Sequence, residues 1–360
     1  MEQGTTYHFE TSLEEKDLLF YDVRQKPFSI YGLYDVQNQQ TFRRIPASVA
    51  EQTSLKVSKH ALSTSGGRVR FSTDSPYVAV KLETSKVARF EHMPLTGTLG
   101  MDLYEETDGG SHYCGTFRPK VDVEDGYAAI LRFDDAKMRS FTLNMPLYNS
   151  VDALYIGVKE TATVGEGTPY RNDKPVVYYG SSITQGACAS RAGLSYENII
   201  ARRYGLDYLN LGFAGSGKAE LPLVEYMASL DMIAFVSDYD HNATDAEYLR
   251  ETHYRMYEII RAAHPDIPYL MVSAPKFRPI EKFIDRRDVI IDSFRRAREA
   301  GDQNVWYIDG EGIFRGPDAD SCTVDGTHPN DLGMMKMADS IGRMLERALR
   351  NTNFGGEGNE

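Results

Sequence analysis

Apolar and polar positions follow two different rhythms along the chain. From about Tyr31 to Val158, apolar residues recur at every second position in short runs broken by turn residues. Val69 and Phe71, then Val78, Val80 and Leu82, keep this spacing on either side of a Thr-Asp-Ser-Pro turn. The stretches "GYAAILRF", "RSFTLNMPLY" and "DALYIGV" continue in the same manner. Closely spaced strands without amphipathic helices between them predict an all-β sandwich or jelly roll.

Beyond Lys174 the rhythm becomes strand, helix, strand, helix. Strands are predicted over 176–179, 208–211, 233–236, 269–272 and 305–308, and helices over 195–204, 220–230, 245–264, 282–300 and 331–350. Thr244 with Glu247 three residues on predicts a capping box for the third helix, and Pro265 follows its end. Alternating β and α units imply a parallel sheet with helices on both faces. Between the two regimes lies "KETATVGEGTPYRNDK", polar, with two glycines and a proline. The expected organisation is therefore a β domain over 1–160, a linker over 161–173, an α/β domain over 174–350 and a flexible tail over 351–360.

Composition narrows the class of partner. A chain of 360 residues, 41% hydrophobic and 26% charged, has the make-up of a globular protein of two domains. Its formal net charge of -12 argues against nucleic acid or an anionic membrane as the main partner and leaves neutral small molecules, sugars or proteins. Acidic residues stand near the start, where a secretory signal needs a basic one, and no long apolar run follows. Cys114, Cys188 and Cys322 are odd in number and far apart, with no zinc spacing or disulfide framework. A cytoplasmic protein with reduced thiols is the expectation.

In a parallel sheet of this kind the chemistry lies beyond the carboxyl ends of the strands. There the sequence places Gly180-Ser181-Ser182, then "NLGFAGSG" with Gly215, then "VSDYDHNA" with Asn242, then "CTVDGTHPN" with Asp325 and His328. Each alone reads equally as turn chemistry, and Asn330 or Asp331 suits the cap of the last helix. Together they supply a complete acyl-transfer set. A serine hydroxyl is a weak nucleophile until a base takes its proton, and His328 is the candidate base. Asp325, three residues earlier, suits the other ring nitrogen. The backbone N–H groups of Ser182 and Gly215, with the amide of Asn242, are the candidate oxyanion donors.

These blocks resemble the SGNH (GDSL-type) hydrolase superfamily over roughly 174–349. "GSSITQG" is similar to its first block, "NLGFAG" to its second and "DGTHPN" to its last, while "GMDLYEE" (Gly100, Asp102, Leu103, Tyr104) resembles the GxDLY β-domain that precedes some of these hydrolases. Two departures stand out. Ser181 occupies the usual Asp position, so both serines are arguable and register favours Ser182. The third block, usually Gly-x-Asn-Asp, reads "DYDHNA", which matches Asn242 but would bring His241 to the oxyanion position after a one-residue shift.

The resemblance implies a three-layer α/β/α fold with a flavodoxin-like parallel sheet, no cofactor, no metal, and hydrolysis of small esters, commonly acetyl groups on carbohydrates. The expected function is a serine esterase acting on an acylated carbohydrate through an acyl-serine. A lysophospholipase or thioesterase, and a non-catalytic carbohydrate-binding protein on the same scaffold, are the alternatives. Arg191 reads as a substrate contact or a solvent-facing residue, and Asp240 and His241 as further candidates beside the substrate. Asp102 and Tyr104 read as structural, and Trp306, in a predicted strand, as core rather than a sugar platform. Oligomeric state, including a homo-oligomer, stays open.

Overall fold

The period-two segments fold into two antiparallel sheets whose apolar faces share one core. The computed structural model describes residues 5–276, 278 and 280–352. One sheet runs Thr6–Tyr7, Leu18–Asp22, Ala153–Lys159, Tyr77–Glu83, Gly126–Arg132. The other runs Val164–Glu166, Arg68–Thr73, Arg139–Asn144, Met101–Thr107, Gly110–Phe117, with Ser29–Tyr31 also paired to Arg68–Thr73. Val69 and Phe71 enter the core from one sheet and Val78, Val80 and Leu82 from the other, so the Thr-Asp-Ser-Pro segment carries the chain between sheets.

The organisation differs from that expected in several places. The segment taken as a linker holds the strand Val164–Glu166, because Val164 packs on the sandwich core. The β region is not free of helices: Ala47–Thr53, Leu55–His60 and Leu95–Thr98 interrupt it. The first two are too short to show a periodic face, and Pro46–His60 clusters with the second compact unit of the chain, while Ala189–Gly193 clusters with the first. The predicted tail lies outside the described residues from 353 onward, and the last helix continues to Asn351.

The second unit is the three-layer α/β/α fold. Its parallel sheet runs Tyr208–Gly212, Val176–Gly180, Ala234–Asp238, Tyr269–Val272, Val305–Ile308, which is the chain order 2-1-3-4-5 of flavodoxin-like sheets. Right-handed crossovers that step outward in opposite directions put their helices on opposite faces. Accordingly Tyr196–Tyr204 packs on Asp331–Asn351, while Leu221–Ser229, Ala246–Ala263 and Glu281–Glu299 pack in series. Met334, Met337, Ala338, Ile341, Leu345 and Ala348 line the buried side of the last helix at helical spacing. Asp245, not Thr244, caps the Ala246–Ala263 helix, its carboxylate accepting from Tyr248 N. Asn330 caps the last one, accepting from Leu332 N and Gly333 N.

In the first unit, strand alternation sends Met101 and Leu103 into the core and Asp102 and Tyr104 to the opposite side. There the buried Asp102 carboxylate accepts from Asn144 Nδ2 at 2.9 Å, Gly193 N at 2.9 Å and Arg191 Nη1 at 2.6 Å. Tyr104 Oη also meets Arg191 Nη1, whose guanidinium lies 4.0 Å over the Tyr113 ring. Removing the carboxylate leaves three donors facing a gap. Asp102→Ala should therefore destabilise the first unit by about 3 kcal/mol, read as a lower urea midpoint by a probe of its tyrosines. A midpoint within about 0.5 kcal/mol of wild type would contradict this reading.

Candidate active site

Two strand ends set the position of the serine loop. Gly180 and Gly212 pair at the carboxyl edge of neighbouring strands. A Cβ on Gly180 would stand 2.0 Å from Thr184 Oγ1 and 2.5 Å from Asp238 O, and one on Gly212 would stand 2.3 Å from Gln185 N. The loop 181–187 therefore lies directly on the sheet. Asn210 Nδ2 holds it by donating to Thr184 O at 2.5 Å, and Gln185 Oε1 accepts from Ala214 N at 3.0 Å in the next loop.

This seat separates the two serines. Ser181 is buried, its N–H donating to Asp238 O at 3.2 Å and its hydroxyl accepting from Ile183 N at 3.2 Å. Ser182 is partly exposed, and its Oγ lies 3.0 Å from His328 Nε2. His328 Nδ1 lies 2.7 Å from Asp325 Oδ2, while Asp325 Oδ1 accepts from Thr327 N at 2.9 Å and His328 N at 2.8 Å. An ionised carboxylate can only accept, so Nδ1 carries the proton and Nε2 is left to accept from the serine. Burial pushes the Asp325 pKa up, but the His328 and Thr327 N–H groups and the imidazole outweigh it and hold the carboxyl at about 2.

Gly215 is exposed at φ +58, with open space where a Cβ would be. Its N–H has no hydrogen-bond partner among the described residues. Asn242 departs from expectation. Its Nδ2 donates to Phe213 O at 2.9 Å and Gly217 O at 3.2 Å and also meets Ser216 O. Two hydrogens thus face three carbonyls, and the amide braces the Gly215 loop from beneath instead of presenting a hydrogen outward. Asp240 is also turned inward, accepting from Ala274 N at 2.9 Å, and burial raises its pKa to about 6. The His241 ring packs 4.9 Å from that of Phe283, and burial, then Lys276 and His328, lower its pKa far below the ordinary value.

Arg191 is held by Asp102 in the first unit and is partly buried instead of facing solvent. Trp306 lies in its strand with Arg347 over the ring at 5.6 Å. Two residues escaped the sequence reading. Lys276 is buried, with Nζ 3.5 Å from Gly326 O and 3.4 Å from Thr327 Oγ1, against the turn that carries His328. It follows the fourth strand of the sheet, so the same strand-end rule points to it. Arg286 donates to Asp240 O, Ala243 O and Thr244 O and fixes the Asn242 loop, but nothing in a helix pattern marks it. Burial pushes the Cys188 thiol up to about 12, which leaves it a poor nucleophile. Within either unit alone, no three His, Cys, Asp or Glu side chains among the described residues converge as a metal site requires.

Comparison with known proteins follows the same division. A family model described as the GDSL-like Lipase/Acylhydrolase family matches residues 173–346, and one described as the GxDLY N-terminus of Esterase_SGNH_hydro-type matches residues 18–164. Among solved structures, a GDSL-like lipase from Bacteroides ovatus is similar at 25% identity and a TM-score of 0.84, over 92% of this chain and 98% of that one. The salicylyl-acyltransferase SsfX3 of a tetracycline biosynthetic pathway shares the fold at 22% identity and 0.74, over 94% and 99%. The acetyl xylan esterase Est2A of the rumen bacterium Butyrivibrio proteoclasticus shares it at 13% and 0.61, over 92% and 99%. No curated protein matches the chain.

Asp325 should titrate near pH 2 by carboxyl NMR. Its folded pKa lies below the unfolded value of about 3.9, so the stability it contributes is present above about pH 4 and is lost as pH falls through the folded value. His328→Ala, which removes the imidazole, should move the midpoint upward. An unmoved midpoint would assign the depression to the backbone donors alone.

Proposed function

We propose, for a chain that belongs to the GDSL-like lipase/acylhydrolase family and carries a GxDLY domain ahead of it, a serine esterase that removes acetyl or other short acyl groups from carbohydrates. The observation that carries the reading is the relay from Ser182 Oγ to His328 Nε2 at 3.0 Å and from His328 Nδ1 to Asp325 Oδ2 at 2.7 Å. Ser182 Oγ attacks the ester carbonyl carbon as His328 Nε2 takes its proton. Asp325 stays ionised and stabilises the imidazolium. The tetrahedral oxyanion is met by the N–H groups of Ser182 and Gly215. Asn242 supports that hole by bracing the Gly215 loop, and directly when a hydrogen turns away from Gly217 O. Collapse breaks the bond to the sugar oxygen, which leaves with the proton from His328. Water then attacks the acyl-serine, gives its proton to His328, and the acid departs as Ser182 is re-protonated.

The sugar half of the reading is supported by the negative charge of the chain, which argues against nucleic acid or an anionic membrane as the main partner, and by the shared fold with an acetyl xylan esterase. The fold shared with a salicylyl-acyltransferase favours a second reading, in which an acceptor alcohol replaces water at the acyl-serine. Lysophospholipase or thioesterase activity would use the same residues on a longer acyl chain.

Ser182→Ala should lower p-nitrophenyl acetate hydrolysis by about 10⁴-fold or more. Ser181→Ala, which deletes one loop hydrogen bond, should keep most of the activity. The opposite pattern would move the nucleophile to Ser181, and equal rates in all three proteins would remove the serine mechanism. Mass spectrometry on a panel of acetylated oligosaccharides should show loss of acetyl groups. Release from long-chain acyl lipids alone would end the carbohydrate assignment.

A further inference from the structure

The first unit contains a cavity of about 470 Å³ walled by Thr96, Tyr113, Thr116, Leu131, Arg118 and Arg191. Tyr113 and Thr116 come from Gly110–Phe117 and Leu131 from Gly126–Arg132, the outer strands of their sheets. Its volume is that of a small-ligand site. One wall is the Tyr113 ring, half exposed, with the Arg191 guanidinium stacked on it. Two planar groups in contact make a wall with apolar faces and hydrogen-bonding rims. Tyr113 Oη and Thr116 Oγ1, 2.7 Å apart, add hydroxyls, and Leu131 adds apolar surface. Flat apolar faces beside hydroxyls match a pyranose ring, which has C–H faces and a polar rim.

The charges of this region do not cancel at the cavity. Along the strand Met101–Thr107, Asp102 pairs with Arg191 at 2.6 Å, Glu105 with Arg139 at 3.6 Å and Glu106 with Arg70 at 3.4 Å. Arg118 is exposed and has no ion-pair or hydrogen-bond partner among the described residues. An uncompensated guanidinium at the cavity, on a chain with a formal net charge of -12, is placed to take an anion that the rest of the protein would repel.

We propose that this cavity binds an acidic saccharide, one that carries a carboxylate or sulfate beside its hydroxyls, with Arg118 on the anionic group. The saccharide part rests on the carbohydrate reading above; the anionic part rests on Arg118. The test is calorimetric titration of the full chain carrying Ser182→Ala, so that binding is read without turnover. The probes are an oligouronate, a sulfated oligosaccharide and a neutral oligosaccharide of equal length. At least one acidic probe should bind about tenfold more tightly than the neutral one, and less tightly as salt rises.

Adding Arg118→Ala should erase the preference and Arg118→Lys should keep part of it, with unchanged thermal midpoints because the side chain is exposed. Equal affinities for all three probes, or a preference that survives Arg118→Ala, would overturn the proposal. Failure of the intact chain to hydrolyse p-nitrophenyl acetate would count against the esterase reading and leave this binding result standing.

Discussion

The absence of side chains at Gly180 and Gly212 is the constraint on which the site depends. All strands of a parallel sheet end on one edge, but side chains on those ends normally keep the following loops away from it. At these two positions the Thr184–Gln185 segment comes closer than any Cβ allows. The loop then has nowhere to settle except on the strand ends, where Asn210 and Gln185 bond it to the second strand and its loop. A serine on such a loop has its direction set by packing before any partner arrives. His328, 146 residues later, needs only a tight turn to reach it.

The carboxyl groups at this edge are sorted by environment. Asp238 is fully buried, and burial followed by the neighbouring acids Asp240 and Glu197 raises its pKa well above normal. Asp240 is raised to about 6, burial again being the leading cause. Asp325 alone goes the other way, because backbone N–H groups and an imidazole face it. A group that must stabilise an imidazolium has to stay charged, and of the three only Asp325 lies in surroundings that keep it so. Burial supports the sheet and its loops; hydrogen bonding selects the carboxylate that can act.

Much of this was legible because the relevant signals are local. The strands 269–272 and 305–308 end where apolar runs meet turn residues, and the Asp325–His328 turn is a contiguous string of letters. Register already favoured Ser182 over Ser181; the burial of Ser181 beside a partly exposed Ser182 supplies the physical reason, which the letters do not carry. The cap at Asp245 was missed because Thr244 is an equally good candidate by residue type, and only backbone geometry distinguishes them. Asn242 was assigned by its place in a motif, whereas the three carbonyls around its amide come from a loop more than twenty residues earlier. The short helices of 46–60 and the strand Val164–Glu166 draw their order from tertiary packing, so propensity and periodicity had nothing to report.

Arg191 and Asp102 show why the motif around residue 102 calls for an acid. Asp102 meets donors only: the amide of Asn144, the backbone N–H of Gly193 and the guanidinium of Arg191. An asparagine there would fit the space but turn an NH₂ toward at least one of them, replacing an attraction by a donor–donor clash. A glutamate would carry the charge one methylene further, into a site where a Cβ on Gly193 would already stand 2.7 Å from the carboxylate. Arg191 and Gly193 lie 9 and 11 residues after Ser182 in sequence, inside the Ala189–Gly193 segment that clusters with the first unit. The aspartate of the β-domain motif therefore secures the chain shortly after the serine loop, a role that no reading of either stretch in isolation contains.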